Sequence, residues 1–209
     1  MNILVFGASG ATGHELVKQA LVKEHIVTAF VRNPVKLEIR HRRLKVIRGD
    51  AVNYQSVKEA VRGQDAVLSA LGAASPFRYD QSVTDSIQNI IMAMQTNGLR
   101  RFIYMSFAGV KKSRNKAGFI IKNITPIILA TEIAGHEMRE NKIWNSMLEW
   151  TIVRPVTLTN GKHTAQFRAG EEIKAKGITA TISRADVADF MLRQLEDNNF
   201  LKREPLIMY

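Results

Sequence analysis

The residues of this chain that could do chemistry begin with a cradle rather than a nucleophile. Gly7, Ala8, Ser9, Gly10, Ala11, Thr12 and Gly13 follow a short apolar run and precede an amphipathic stretch. Small residues at a strand-to-helix turn let a diphosphate approach the backbone N–H groups that a first helical turn leaves without partners. Gly7 suits the tight turn, Gly10 the close approach of phosphate, and Gly13 the close packing of helix on strand. The competing reading of the same heptad is a glycine-rich turn that binds nothing. Cysteine is absent from all 209 residues, which removes disulfides, thiolate metal sites and thiol nucleophiles together.

The end of the second expected strand bears on which nucleotide would fit. NAD-selective sites usually place Asp or Glu there, to accept hydrogen bonds from the adenosine ribose. This chain has Arg32, followed by Lys36. A guanidinium accepts nothing but holds a 2′-phosphate bidentately, so the pair favours NADP, with NADPH preferred over NADH. Arg32 is also simply one of 30 basic residues. Asp50, after the third strand, is placed to meet the adenine edge, and an Asp in Gly-Asp-Ala serves equally well as a helix cap.

Positioning these residues requires strands that alternate with helices, and the hydropathy pattern supplies them. Strands are expected at Asn2 to Phe6, Ile26 to Val31, Leu44 to Ile47, Asp65 to Ala70, Arg101 to Met105, and Trp150 to Val153 before a stop at Pro155. Helices are expected at Thr12 to Lys23, Tyr54 to Val61, Asp80 to Asn97, Thr131 to Ser146 and Arg184 to Glu196, with a closing strand at Pro205 to Met208. Parallel crossovers of one hand put helices on both faces, so the fold class is α/β with a doubly wound parallel sheet. At 209 residues a single domain over 1–209 is expected, with a small C-terminal substrate or lid region. The apolar stretch Ala117 to Ala130, broken by Lys122, Asn123 and Pro126, reads as a lid or an interface.

Taken together, Gly7 to Gly13, Val31-Arg32, Gly49-Asp50, Ala70-Leu71-Gly72, Trp150 to Pro155 and Ser183 to Ala188 resemble the atypical short-chain dehydrogenases. Within them the chain looks most like the NmrA-like NAD(P)-binding proteins and the flavin reductase/biliverdin reductase B family. The resemblance implies a Rossmann fold in which the glycine loop holds the diphosphate, Arg32 and Lys36 the 2′-phosphate, and Asp50 with Ala51 the adenine. Ala70, Leu71 and Gly72 would line the cofactor. Ser106 would lie near the nicotinamide as a cofactor-binding and catalytic candidate, and His136 matches a histidine of the biliverdin reductase B pattern. That family's second histidine is replaced here by Thr157.

The Tyr-x-x-x-Lys pair by which most short-chain dehydrogenases move a proton should follow the fifth strand. Tyr54 and Lys58 have the spacing but precede the fourth strand, and the helix holding His136 has no Tyr. Flavin and quinone reduction ask less of a protein, since stacking geometry and solvent exclusion are its main tasks there. The expected function is therefore an NADPH-dependent oxidoreductase acting on a flavin, quinone or similar planar acceptor. A non-catalytic NADP-binding redox sensor of NmrA type shares every cofactor residue. Phe77, Tyr79, Phe107 and Phe119 fall in loops over the strand ends, where they could stack on a flat ring or simply pack.

Lys and Arg number 30 against 19 Asp and Glu, a formal net charge of +11, and cluster at Arg32 to Arg48 and Arg100 to Lys122. Such a surface attracts anions in general. No nucleic-acid-binding motif accompanies it, so the expectation is steering of an anionic cofactor rather than nucleic-acid binding. No apolar run reaches a membrane span and no secretory leader is evident. A cytoplasmic protein without membrane or metal partners, monomeric or homodimeric, is expected.

Overall fold

In a computed structural model the described residues are 1–73 and 80–209. In chain order the first half comprises β1 (Asn2–Phe6), α1 (Ala11–Val22), β2 (Ile26–Val31), β3 (Leu44–Arg48), α2 (Tyr54–Val61), β4 (Ala66–Ser69), α3 (Gln81–Thr96) and β5 (Arg101–Met105). The second half adds α4 (Thr125–Ile128), α5 (Ala130–Trp144), β6 (Glu149–Pro155), β7 (Thr157–Thr159), β8 (Arg168–Gly170), β9 (Thr181–Ser183), α6 (Arg184–Arg193) and β10 (Leu206–Met208).

Eight strands form one sheet in the order β3-β2-β1-β4-β5-β6-β10-β8, and β7 pairs with β9 separately. Neighbours from β3 through β10 are parallel, and β8 closes the edge antiparallel to β10. The chain runs outward from β1 to β3, then returns to lay β4 on the other side of β1. That reversal creates a crevice beyond the carboxyl ends of β1 and β4, where open α/β sheets bind ligands. This is the doubly wound Rossmann arrangement that the alternating pattern implies.

The central strand explains why the sheet must be covered twice. Ile3, Leu4, Val5 and Phe6 have no exposed surface, and successive side chains point to opposite faces. Ile3 and Val5 join α1 and α6 in one core, while Leu4 and Phe6 join α2 and α3 in the other. On α1 the stripe Leu16, Val17, Ala20 and Leu21 is buried, as its spacing predicts. Burying each Leu or Val of that stripe contributes about 1.5–3 kcal/mol.

The structure corrects the sequence reading in three places. β6 does not stop before Pro155. The ring lacks a donor, yet its carbonyl accepts from Ala108 N at 2.9 Å and the residue pairs with Ile207, so the strand runs through it. α6 ends at Arg193 rather than Glu196, with Leu195 and Glu196 bonded back into turns. Three strands, β7, β8 and β9, were not expected, and each is only three residues long. The Ala117 to Ala130 stretch becomes one wide helical turn at Ile120–Ile124 followed by α4. Ala117 and Ile121 are buried in the core while Phe119, Ile127 and Ile128 face outward. Among the described residues no helix is long and apolar enough to cross a membrane.

Candidate functional site

The glycine loop is built by close contacts that leave no room for a side chain. Gly7 has φ +76°, and a Cβ there would sit 2.6 Å from the Ala70 carbonyl oxygen. The β1 and β4 ends are thus drawn together at the crevice. A Cβ on Gly13 would overlap the Gly7 carbonyl oxygen and lie 2.8 Å from Ala8 Cα, so glycine lets α1 press on the loop below it. Gly10 differs. It is extended at φ −82° and ψ 163°, and a Cβ would meet only Gly7 O, at 3.3 Å.

The loop is closed by Gly10 N donating to Gly7 O at 2.9 Å and His14 N to Gly10 O at 2.8 Å. α1 has no side-chain cap, whereas Asn53, Asp80 and Ser183 cap α2, α3 and α6. Its first turn also lacks acidic residues, so nothing local neutralises the positive end of its dipole.

A cleft of about 230 Å³ opens at this point. It is lined by Gly7, Ser9 and Gly10 from the loop, by Arg32 and Lys36 after β2, and by Gly49, Asp50 and Ala51 after β3. Ala70, Leu71 and Gly72 after β4 and the Asp80–Ser86 end of α3 complete it. The volume lies below the about 300–1,000 Å³ typical of sites for whole small ligands, so the cleft suits part of a dinucleotide. Arg32 and Lys36 are exposed, and neither forms an ion pair among the described residues. Asp50 is exposed, with its carboxylate accepting from Val52 N at 3.2 Å, while Asn53 takes the capping role on α2.

Other expected site residues lie outside that lining. Ala8 and Thr12 are buried beneath the loop, Gly13 is buried, and Ala11 is exposed at the helix start. Tyr54 and Lys58 sit on α2, where the tyrosine hydroxyl is 3.2 Å from Thr96 Oγ1. Phe77 and Tyr79 lie outside the described residues. Phe107 packs beside His136 with ring centroids 6.3 Å apart, and Phe119 is 58% exposed.

Ser106 and His136 come together just past β5. Ser106 directly follows β5, and its N–H donates to Val153 O of β6 at 2.8 Å. Ser106 is 4% exposed, and its Oγ lies 3.2 Å from His136 Nδ1. Burial, and secondarily the charge of Arg139, pushes the His136 pKa down to about 3. The ring is therefore neutral at ordinary pH.

Behind these two stands a buried ionic network that the sequence reading missed. Glu140 accepts from Ser106 Oγ at 2.7 Å and from Arg154 at 3.0 and 2.6 Å. Arg154 also reaches Glu204 at 2.5 Å, and Lys111 Nζ is 3.9 Å from Glu140. Glu132 pairs with Arg139 at 2.8 Å and lies 3.4 Å from His136 Nε2. Burial raises the Glu132 pKa and Arg139 opposes the rise. Burial also lifts the Tyr104 phenol to about 12. A readable signal existed: Glu132, His136 and Glu140 recur every four residues on α5, a polar stripe at helical spacing on the face turned inward.

Comparisons with known proteins bear on the family and the fold. A family model described as NAD(P)H-binding matches residues 7–198. The uncharacterized protein YwnB of Bacillus subtilis is 26% identical over 204 residues, covering 94% of this chain and 92% of YwnB. Cinnamoyl-CoA reductase 1 of Petunia hybrida is 28% identical over 196 residues, 86% of this chain but 52% of the plant protein. The chain thus spans about half the length of that curated relative. Among solved structures, the oxidoreductase ylbE of Lactococcus lactis superposes with a TM-score of 0.82 at 17% identity, covering 99% of this chain and 90% of that one. ChuY, an anaerobillin reductase from Escherichia coli O157:H7, gives a TM-score of 0.78 at 20% identity, with 99% and 96% covered. At such identities the likeness is one of fold.

Proposed function

Because the chain belongs to the NAD(P)H-binding family that matches residues 7–198, we propose that it is an NADPH-dependent oxidoreductase acting on a flavin, quinone or similar planar acceptor. The observation that carries this reading is the cleft at the strand-order reversal, which joins an uncapped helix start to two cations without ion-pair partners among the described residues. Those residues fit a dinucleotide. The glycine loop leaves space where a diphosphate approaches amide N–H groups, and Arg32 with Lys36 supplies charge for a 2′-phosphate. Gly49 to Ala51 and Leu71 offer the walls for an adenine and for the stem toward the nicotinamide.

When bound, a reduced nicotinamide supplies hydride, and the remaining work falls to this chain's own side chains. Leu71 follows β4 and Ser106 follows the adjacent β5, so the reacting ring would be oriented near these two strand ends. His136 is neutral and mostly buried, with Phe107 packed beside it. No Tyr–Lys pair stands at the end of β5 among the described residues, which suits an acceptor ring that needs no strong general acid.

Turnover tests the reading. Purified protein mixed with NADPH and either FMN or a quinone should lose the absorbance of the reduced nicotinamide at a rate proportional to enzyme. Tight NADPH binding with no oxidation by any planar acceptor would instead make the chain a redox sensor.

A further inference from the structure

Four side chains form a line past the end of β5: Glu140, Ser106, His136 and Glu132. The contacts lengthen along it. Glu140 Oε1 to Ser106 Oγ is 2.7 Å, Ser106 Oγ to His136 Nδ1 is 3.2 Å, and His136 Nε2 to Glu132 Oε1 is 3.4 Å. Three hydrogen bonds need three hydrogens, but a hydroxyl and a neutral imidazole supply two between them. One contact must be empty, and the longest, at 3.4 Å, identifies itself. Glu132 Oε1 does not need His136, since Arg139 Nη2 already donates to it at 2.8 Å.

The other end of the line sets the direction. Glu140 is fully buried and clamped by Arg154 through Nε at 3.0 Å and Nη2 at 2.6 Å, with Lys111 beyond. A carboxylate held this way only accepts, so the single Ser106 proton points to it. His136 must then carry its proton on Nδ1 and donate to Ser106.

We infer that Glu140, locked by Arg154, is a positioning residue: it claims the Ser106 proton, makes Ser106 a hydrogen-bond acceptor toward a ligand, and fixes His136 as the Nδ1–H tautomer. Resting on the proposed function, Ser106, which follows β5 outside the lining of the cleft, then favours an N–H or O–H donor on the ligand, such as a carboxamide nitrogen, and disfavours a bare carbonyl oxygen. The groups facing the imidazole among the described residues are Ser106 and Phe107 from the β5 side and Glu132 and Arg139 from α5.

The test is nitrogen NMR of the full chain labelled at histidine, without cofactor and at neutral pH. The His136 signals are assigned by their loss in His136→Gln. Wild type should show a pyrrole-type Nδ1 and a pyridine-type Nε2. In Glu140→Gln the amide oxygen keeps the Arg154 Nη2 bond and the amide nitrogen takes the place of Oε1, giving up the Arg154 Nε bond and donating to Ser106, whose hydroxyl swings to His136, so the two nitrogens exchange types. The double variant Glu140→Met/Arg154→Met removes both charges together, avoids stranding a buried guanidinium, and should give the same exchange. A wild-type ring protonated at Nε2, or a tautomer unchanged in both variants, overturns the inference. The expected tautomer in a chain that binds no nicotinamide nucleotide would sink the proposed function and leave the positioning role standing.

Discussion

Two glycines of the same loop should respond to substitution in opposite ways. In Gly13→Ala the new methyl overlaps the Gly7 carbonyl oxygen, 2.6 Å from the carbonyl carbon and 2.8 Å from Ala8 Cα. Carbon atoms rest at about 3.5–4.0 Å, so α1 and the loop must separate by about 1 Å, and both are backbone. Overpacking of this kind costs about 3 kcal/mol, which at about 2–4 °C per kcal/mol in a chain of this length lowers Tm by about 6–12 °C. Gly10→Val introduces a larger side chain at an ordinary extended backbone, with its nearest neighbour 3.3 Å from Cβ. Its stability should change by about 1 kcal/mol or less. The branched side chain nonetheless projects where the diphosphate must lie, so binding of NADPH and NADH should both be abolished. Thermal unfolding and titration calorimetry on the two variants measure both quantities. Retained affinity in Gly10→Val would show that the loop is a turn and not a cradle, and an unchanged Tm in Gly13→Ala would refute the packing argument.

Two pH-linked predictions come from buried groups. The folded His136 pKa of about 3 lies below its ordinary 6.5, so the unfolded chain binds the extra proton first, and stability falls as pH drops through that window. Between about pH 7 and about pH 5 wild type should lose about 2 kcal/mol more in urea unfolding than His136→Gln, and equal losses would contradict a neutral buried ring. Asp186 is opposed by burial, but hydrogen bonds from Tyr209, Thr164 and Ala165 outweigh it and hold the pKa at about 2, below the usual 3.8. Its contribution is complete above about 3.8 and is lost as pH falls through about 2. Asp186→Asn should lower stability by about 1.5–3 kcal/mol at neutral pH, read as a lower urea midpoint, because it weakens bonds that tie residues 164–165 and Tyr209 to the start of α6.

The parts of this molecule that could be read from its sequence are those where a period has room to repeat. The stripe on α1 and the unbroken apolar run of β1 place both elements within a residue of where they fold. β7, β8 and β9 are too short to show a two-residue alternation, and their pairing depends on neighbours distant in the chain, such as Tyr209 N donating to Thr181 O. The cleft was legible because its residues sit at strand ends, which the topology alone brings to one edge. The Glu140–Arg154 pair was not, since a charged stripe on α5 looks like a solvent face until Glu132, Arg139 and Glu140 are seen to be buried. Arg154 stands in the sequence inside the apolar run Trp150 to Pro155, and its clamp on Glu140 joins α5 to β6 across fourteen residues of chain.

Calorimetry of the intact protein with NADPH and with NADH, repeated in Arg32→Asp, reaches the central claim most directly. Wild type should bind NADPH more tightly than NADH, and the substitution should weaken NADPH by about 1–3 kcal/mol while leaving NADH little changed. Equal losses for both nucleotides, or no binding heat from either one in wild type, would contradict the account.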